Sequence, residues 1–425
     1  MQIKLLSLLS VIVLSLTAAR AQTEAPIDTL TNRVNIISSD VDVMKRIKIT
    51  GYMQPQYQVA DSSGVASFAG GDFTSGLNKR FALRRGRVKF TYDYSNTQFV
   101  IQIDGGEKGV SFTDVYGKYT EPWLNAFSIQ AGIFNRPWGY EIPISSSVRE
   151  SPERARWSQT LMPGERDLGV MAGFQMPKTS MWNFLSLQVA MVNGTGRSAS
   201  DFDYQKDLIA HLGLSKNICH EKIKLGVGGS YYSGGIRQFT KFVYSNGTNS
   251  SGVKTYVVDS ASTNKDAIAG RTYIGADLQF VYESPIGTTT LRGEFIQGQQ
   301  PAFGNSSTTS PTASSTSDTY IRNCQGLVAY FVQNIKIIKS GIVVKYDMYD
   351  PNTDVAGGDI GVTGSKLTKA DIAYTTLGFG YLFYINANTK LCLYRDMVSN
   401  ESTKLKGWTQ DLKDDVWTFR LQFKF

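Results

Sequence analysis

The chain of 425 residues carries a formal net charge of +8, and 41% of its residues are apolar. This apolar share lies slightly below the roughly 45–50% of soluble globular proteins. Helical membrane proteins need runs of roughly 20 apolar residues, and no such run follows residue 22, which excludes that class. The basic residues do not cluster in one run, so we expect no nucleic-acid partner.

The first 21 residues have the pattern of a secretory signal peptide. Lys4 precedes an apolar stretch at residues 5–16, and residues 19–21 (ARA) form a small-x-small cleavage site. The stretch is too short to span a bilayer, and no stop-transfer pattern follows it. We therefore expect the mature chain to begin at Gln22. An N-terminal anchor helix is the alternative.

The segment 22–46 differs from the rest of the chain. Apolar residues recur there at alternating spacings of four and three, which is the seam of a coiled coil. They are Leu30, Val34, Ile37, Val41 and Met44. The segment is too short to be stable alone. We predict a short periplasmic helix that associates on an assembled barrel, with a lone helix or a frayed linker as the alternative.

From residue 47 onward, apolar and polar residues alternate along segments of the length that crosses a membrane as a β-strand. Residues 47–59 place Ile47, Ile49 and Met53 on one face, and Lys48, Gln54 and Gln56 on the other. The predicted strands are 47–59, 81–94, 97–104, 111–121, 126–135, 166–176, 182–193, 206–215, 222–233, 271–283, 287–298, 319–332, 338–349, 370–384, 388–396 and 415–425.

The connections between these segments alternate between long and short, as in outer-membrane barrels. We therefore predict an all-β fold, a transmembrane antiparallel β-barrel of about sixteen strands. The chain divides into a signal peptide (1–21), a periplasmic extension (22–46) and a barrel in the bacterial outer membrane (47–425), in contact with its lipid. Trp and Tyr near predicted strand ends, including Trp138, Trp157 and Tyr232, are expected to form aromatic girdles.

Signatures of enzymes and of metal sites are missing from the sequence. It has no HExxH, GxSxG or Walker motif, and its histidines are His211 and His220. The three cysteines lie far apart without CxxC spacing, which gives neither a disulfide framework nor a zinc site. We expect a protein without catalytic residues, metal or cofactor.

Charge on the predicted lumen face is mostly basic. Arg85, Arg87 and Lys89 occupy every second position of one predicted strand. They predict a row of positive charges on the lumen wall, along which an anion could pass from one charge to the next. The other predicted lumen cations are Lys48, Lys118, Lys222, Lys224, Arg271, Arg292, Lys345, Arg420 and Lys424. The alternative is a mixed polar lumen in which salt screens these charges.

A long connection at 136–165 is predicted to fold into the lumen and narrow it. It carries four prolines together with Arg149, Arg154, Arg156 and Trp157, which a freely solvated loop does not need. The candidate constriction residues are Arg149, Arg154, Arg156 and Trp157.

Four short motifs occur in order along the chain, at residues 132–141 (GIFNRPWGYE), 145–153 (SSSVRESPE), 166–170 (RDLGV) and 346–352 (YDMYDPN). They resemble segments of the phosphate-selective porin O and P family, except that Lys345 stands where that family usually has Arg. The terminal LQFKF ends in the aromatic of outer-membrane barrels. The resemblance covers residues 47–425. It implies a homotrimer of sixteen-stranded barrels, with inward loops that form an anion-selective constriction for phosphate or other small anions.

Three functions remain open on the sequence alone. The first is a porin for passive diffusion of small solutes, with a preference for anions. The second is a plugged outer-membrane barrel that serves binding, adhesion or a structural role. The third is a soluble secreted β-protein. Barrels of sixteen strands usually leave an aqueous channel, which favours the first.

Overall fold

The computed structural model describes residues 25–107, 109–197, 200–219, 221–306 and 316–425. The predicted signal peptide and His220 lie outside the described residues. Within them, eighteen strands join in one sheet. Two of the eighteen form a hairpin in a long loop, and the remaining sixteen close a barrel. The predicted sixteen-stranded antiparallel barrel is therefore confirmed.

The strands follow the alternating segments closely. They are β1 (Ile47–Ala60), β2 (Lys79–Tyr94), β3 (Thr97–Gly106), β4 (Gly109–Thr120), β5 (Phe127–Asn135), β6 (Arg166–Gln175), β7 (Leu185–Val192), β8 (Asp207–Ile218), β9 (Ile223–Arg237), β10 (Val243–Thr248), β11 (Lys254–Asp259), β12 (Ile268–Glu283), β13 (Thr288–Phe303), β14 (Thr319–Ile335), β15 (Ser340–Asp350), β16 (Tyr374–Tyr384), β17 (Thr389–Asn400) and β18 (Val416–Lys424).

The barrel closes where the first strand meets the last. β1 pairs antiparallel with both β2 and β18, and Gln56 lies opposite Arg420 across the closing seam. Closure leaves no open sheet edge. A β-sheet can cross a bilayer only in this closed form, because an open edge would leave backbone groups without hydrogen-bond partners in the lipid. The sequence missed the hairpin β10–β11, which lies in the long connection after β9 and pairs with the start of β14.

The outer face of the barrel is apolar. Side chains that point away from the lumen are exposed and apolar on strands all around the wall: Ile49, Phe90, Ile101, Leu212, Leu278, Phe331, Leu377 and Phe419. In water such a continuous surface would be unfavourable. It is the surface that faces lipid in outer-membrane barrels, and it places this barrel in the bacterial outer membrane.

A helix precedes the barrel. α1 (Ala25–Lys45) ends directly before β1, and its seam residues Val34, Ile37, Val41 and Met44 are exposed. The predicted helix is thus present, and its association with other copies stays a prediction. Among the described residues, no helix is long and apolar enough to cross a membrane.

The main apolar core lies inside the barrel, which the sequence did not predict. The connection 136–165, here called the inner loop, buries Trp138, Ile142, Trp157 and Met162 against lumen-facing side chains of the wall. Those wall residues include Tyr232, Tyr273, Val332, Val343, Leu382 and Tyr394. The aromatic girdle prediction was therefore wrong for Trp138, Trp157 and Tyr232. Strand-end position alone does not separate a ring that faces lipid from one that faces a loop inside the lumen.

Candidate pore constriction

The inner loop spans the lumen from one wall to the opposite one. The hydroxyl oxygens of Ser146 and Tyr52, on β1, are 2.5 Å apart. The Gly139 N–H donates to the Ser230 hydroxyl on β9 at 3.0 Å. β1 and β9 lie on opposite sides of the sixteen-strand ring. A segment that contacts both must cross the interior, where it narrows the cross-section.

One carboxylate of the inner loop is surrounded by four arginines. Glu153 forms ion pairs with Arg84 at 2.9 Å, with Arg85 at 2.8 Å, with Arg420 at 2.8 Å and with Arg149 at 3.9 Å. We call these five residues the Glu153 cluster. Its side chains are buried except that of Arg84, which is 27% exposed. Four positive charges against one negative charge leave the cluster strongly cationic.

The arginines also determine the ionisation of this carboxyl. Burial raises the pKa of Glu153, but Arg84, Arg85 and Arg420 outweigh burial and hold that pKa well below its usual range. Glu153 therefore stays ionised. Charge-assisted hydrogen bonds of this kind are about twice as strong as neutral ones, so the cluster anchors the tip of the inner loop to β2 and β18.

Arg84 reaches the cluster because β2 has a bulge. Gln54 of β1 pairs with Arg85, whereas the next residue, Pro55, pairs with Leu83. Arg84 is the extra residue, and a bulge places two residues against one on the partner strand. Strict alternation would direct Arg84 to lipid, where a charge costs roughly 2–4 kcal/mol near the midplane. The bulge brings it inside instead, and sequence parity missed it.

A second ionic group holds the end of the inner loop. Arg154 pairs with Glu165 at 2.5 Å, and Glu165 also pairs with Arg166 at 2.9 Å. Arg166, at the start of β6, pairs in turn with Asp114 of β4 at 2.5 Å. Arg154 additionally donates to the carbonyl of Ile142 at 3.0 Å. This chain fixes the return of the loop to the wall.

The other side of the inner loop packs against glycines of the wall. A Cβ at Gly326 of β14 would lie 2.6 Å from the Cβ of Trp157, and a Cβ at Gly275 of β12 would lie 2.6 Å from Trp138. No side chain fits at either position while the indole is in place. These glycines therefore act as seats for the two tryptophans. Glycines within strands commonly mark such close approach.

The predicted ladder residues differ in their partners. Arg85 is buried in the Glu153 cluster, and Arg87 pairs with Asp104 at 2.8 Å. Lys89 has no carboxylate partner among the described residues. A cavity of about 240 Å³ lies below the inner loop, on the side of the short turns, and Arg87, Lys89, Arg166 and Lys424 line it together with Asp114.

The other predicted lumen cations are mostly paired, which reduces the basic excess inferred from the sequence. Lys48 pairs with Asp93, Arg271 with Asp207, Arg292 with Glu150, and Lys345 with Asp347. Lys118 and Lys224 lie on β4 and β9. Lys222 lies in the turn before β9 and is exposed, so the structure does not place it on the wall.

The four predicted constriction residues lie apart on the inner loop. Arg149 joins the Glu153 cluster, Arg154 joins Glu165, and Trp157 occupies its glycine seat. Arg156 points to the other side of the loop, between the rings of Phe68 and Tyr374. The sequence did not single out Glu153, the one acid that brings the arginines together. Its signals were the motif 145–153, which ends at this residue, and its position among Arg149, Arg154 and Arg156.

No protein-family model matches the chain, and no curated protein matches it by sequence. Solved structures share its fold at low identity. OprB of Pseudomonas putida matches with a TM-score of 0.55 at 9% identity, over 91% of this chain and 96% of that one. An anion-selective porin from Comamonas acidovorans matches with a TM-score of 0.52 at 9% identity, over 89% and 99%. The outer membrane channel DcaP of Acinetobacter baumannii matches with a TM-score of 0.50 at 10% identity, over 89% and 97%. The chain thus has the fold of outer-membrane porins.

Proposed function

We propose that this protein is a porin through which small solutes, anions in preference to cations, diffuse passively across the outer membrane. The observation that carries the proposal is the pairing of a closed sixteen-strand barrel with a cationic column on β2. The column runs from Arg80 through Arg84, Arg85 and Arg87 to Lys89. It passes alongside the inner loop, from the side of the long loops to that of the short turns.

The distribution of charge supports a passage along β2. The Glu153 cluster leaves net positive charge next to the inner loop, and Lys89 leaves more below it. A narrow space with low-dielectric walls focuses such a field and concentrates ions of the opposite sign. The electrostatic energy of an anion would fall on entry, and cations would be repelled.

Phosphate is the solute that we propose to test first. The guanidinium group offers a fork of donors that matches phosphate oxygens, and three of the column residues beside Glu153 or Asp104 are arginines: Arg84, Arg85 and Arg87. The resemblance of four sequence motifs to the phosphate-selective porin O and P family points the same way. We propose no enzymatic activity.

The test is a planar-bilayer recording under a salt gradient. The wild type should give stepwise increases in current, with a zero-current potential whose sign shows preference for anions. The change Arg85→Ser, Arg87→Ser, Lys89→Ser should shift that potential toward cation preference, most strongly at low salt, where screening is weakest. Channels with cation preference would refute the anion claim, and a folded barrel without channels would favour the plugged alternative.

We further propose that the protein assembles as a homotrimer to which α1 contributes. Its exposed seam residues Val34, Ile37, Val41 and Met44 could pair with those of two other copies. Removing residues 22–44 should lower the temperature at which the oligomer dissociates in detergent, while the β-sheet content stays the same. Loss of the folded barrel would show that this segment belongs to the barrel itself.

A further inference from the structure

We propose that the outer vestibule, above the inner loop on the side of the long loops, contains a binding site for organic carboxylates with a flat apolar body. The site rests on the proposed function, since it would define a class of solutes for the pore. It is separate from the column on β2, because different residues of the inner loop form it.

The site is a cavity of about 570 Å³. Its floor is the inner loop at Arg156 and Thr160, and its walls come from long connections of the barrel and from the adjoining ends of β15 and β16. The apolar wall consists of Phe68, Tyr349, Ile372, Tyr374, Trp408 and Leu412. Pockets for small organic ligands are usually of several hundred Å³ and mainly apolar, with a few polar groups that fix orientation.

Arg156 is the polar group at the centre of this floor. Its guanidinium carbon lies 3.7 Å from the centroid of the Tyr374 ring and 4.4 Å from that of Phe68. The Arg156 side chain is partly exposed where it lines the cavity. The two rings hold the guanidinium flat, and no described acidic residue forms an ion pair with it. A carboxylate is the acceptor that an unpaired guanidinium favours most.

The charges around the cavity favour an anion. Arg156, Lys369 and Lys413 line it, against one acid, Asp414. None of the three cations forms an ion pair with a described acidic residue, in contrast to the arginines of the Glu153 cluster. An anion would therefore meet cations that are not already neutralised.

The aromatic wall selects among anions. Inorganic phosphate or acetate could use Arg156 but would leave the surfaces of Trp408, Ile372 and Leu412 uncovered. A ligand with a flat ring would cover them and gain the free energy of apolar burial. The geometry thus points to a carboxylate attached to a planar apolar ring system.

The test measures binding of 2-naphthoate to the full-length protein in detergent, by equilibrium dialysis against protein-free micelles. 2-Naphthamide, which has the shape without the charge, and acetate, which has the charge without the ring, are the comparison ligands. We expect saturable binding of 2-naphthoate with one site per chain, and binding of both comparison ligands that is at least about tenfold weaker.

Three variants make the result specific. Arg156→Gln removes the charge, and Ala66→Trp, at an exposed position of the cavity wall, fills the cavity without removing a contact. Each should weaken 2-naphthoate binding by about tenfold or more. Lys241→Gln changes an exposed lysine of another long loop and should leave binding unchanged. Heat-modifiable gel mobility checks that each barrel is folded.

Equal binding by the wild type, Arg156→Gln and Ala66→Trp would overturn the site, as would equal binding of acetate and 2-naphthoate. Binding in detergent does not require conduction, so the two proposals fail separately. A protein that conducts anions but does not bind 2-naphthoate refutes the vestibule site alone. A protein that binds it but never conducts refutes the porin proposal and leaves the site.

Discussion

The inner loop meets two walls of opposite chemistry. Toward β1, β2 and β18 it presents Glu153 to arginines and Ser146 to Tyr52, with polar contacts throughout. Toward β12–β17 it buries Trp138 and Trp157 among tyrosines, valines and leucines. The first contact is ionic and leaves net positive charge. The second is mainly apolar and close-packed, and its polar contacts include the Glu150–Arg292 ion pair and the N–H groups of Tyr140 and Glu141, which donate to Glu294 of β13.

Under the proposed porin function, this difference indicates where a solute would pass. A close-packed apolar contact excludes water and costs an ion its hydration. The charged wall keeps polar groups and a partly exposed Arg84 beside the loop. In the proposed porin, the apolar side would act as an anchor and seal, and the charged side would border the passage. A loop held only by ion pairs would be easier to displace, and a loop packed against the wall on all sides would block the lumen.

The largest effect is expected from Glu153→Gln, on the charged wall. The change leaves four arginines without their common acid, and removing one partner of a buried ion pair costs about 3–5 kcal/mol. The unfolding temperature in detergent, followed by loss of heat-modifiable mobility, should fall markedly. Glu107→Gln, at an exposed turn, is the matched control and should have little effect. Equal stability of both variants would mean that the cluster does not anchor the loop.

A smaller effect is expected from Gly326→Ala, on the apolar wall. The added methyl would overlap Trp157 and force the indole out of its seat. Overpacking of this kind costs about 1–3 kcal/mol, so the loop should loosen and single-channel conductance should rise. Gly293→Ala is the control, because its nearest atom is an ordinary 3.8 Å away. If both variants conduct like the wild type, the glycine seat has no role in holding the loop.

The sequence predicted the walls better than the interior. Alternation identified all sixteen barrel strands, because lipid on one side and water on the other impose a period of two. The same rule failed at Arg84, where a bulge interrupts the period. The pair Arg84-Arg85 was itself a signal, since two adjacent charges cannot both face away from lipid on a regular strand.

The inner loop shows the second limit of sequence patterns. Its prolines, arginines and Trp157 predicted a structured segment in the lumen. Its partners could not be predicted, because the Glu153 cluster joins residues from β2, β18 and the loop that lie far apart in the chain. Tyr232 and Val343 occupy the lumen face of their strands, where a water-filled pore would have polar residues. They are buried there because the inner loop packs against them.

The most direct test of the account is the single-channel conductance after removal of residues 145–160. This deletion takes away Glu153 and Trp157, the contacts that join the loop to both walls. Heat-modifiable mobility and sheet content must first show that the barrel remains closed. The account predicts a conductance several times that of the wild type, together with weaker anion preference because the passage is wider. An unchanged conductance in a folded barrel would contradict the claim that the inner loop forms the constriction.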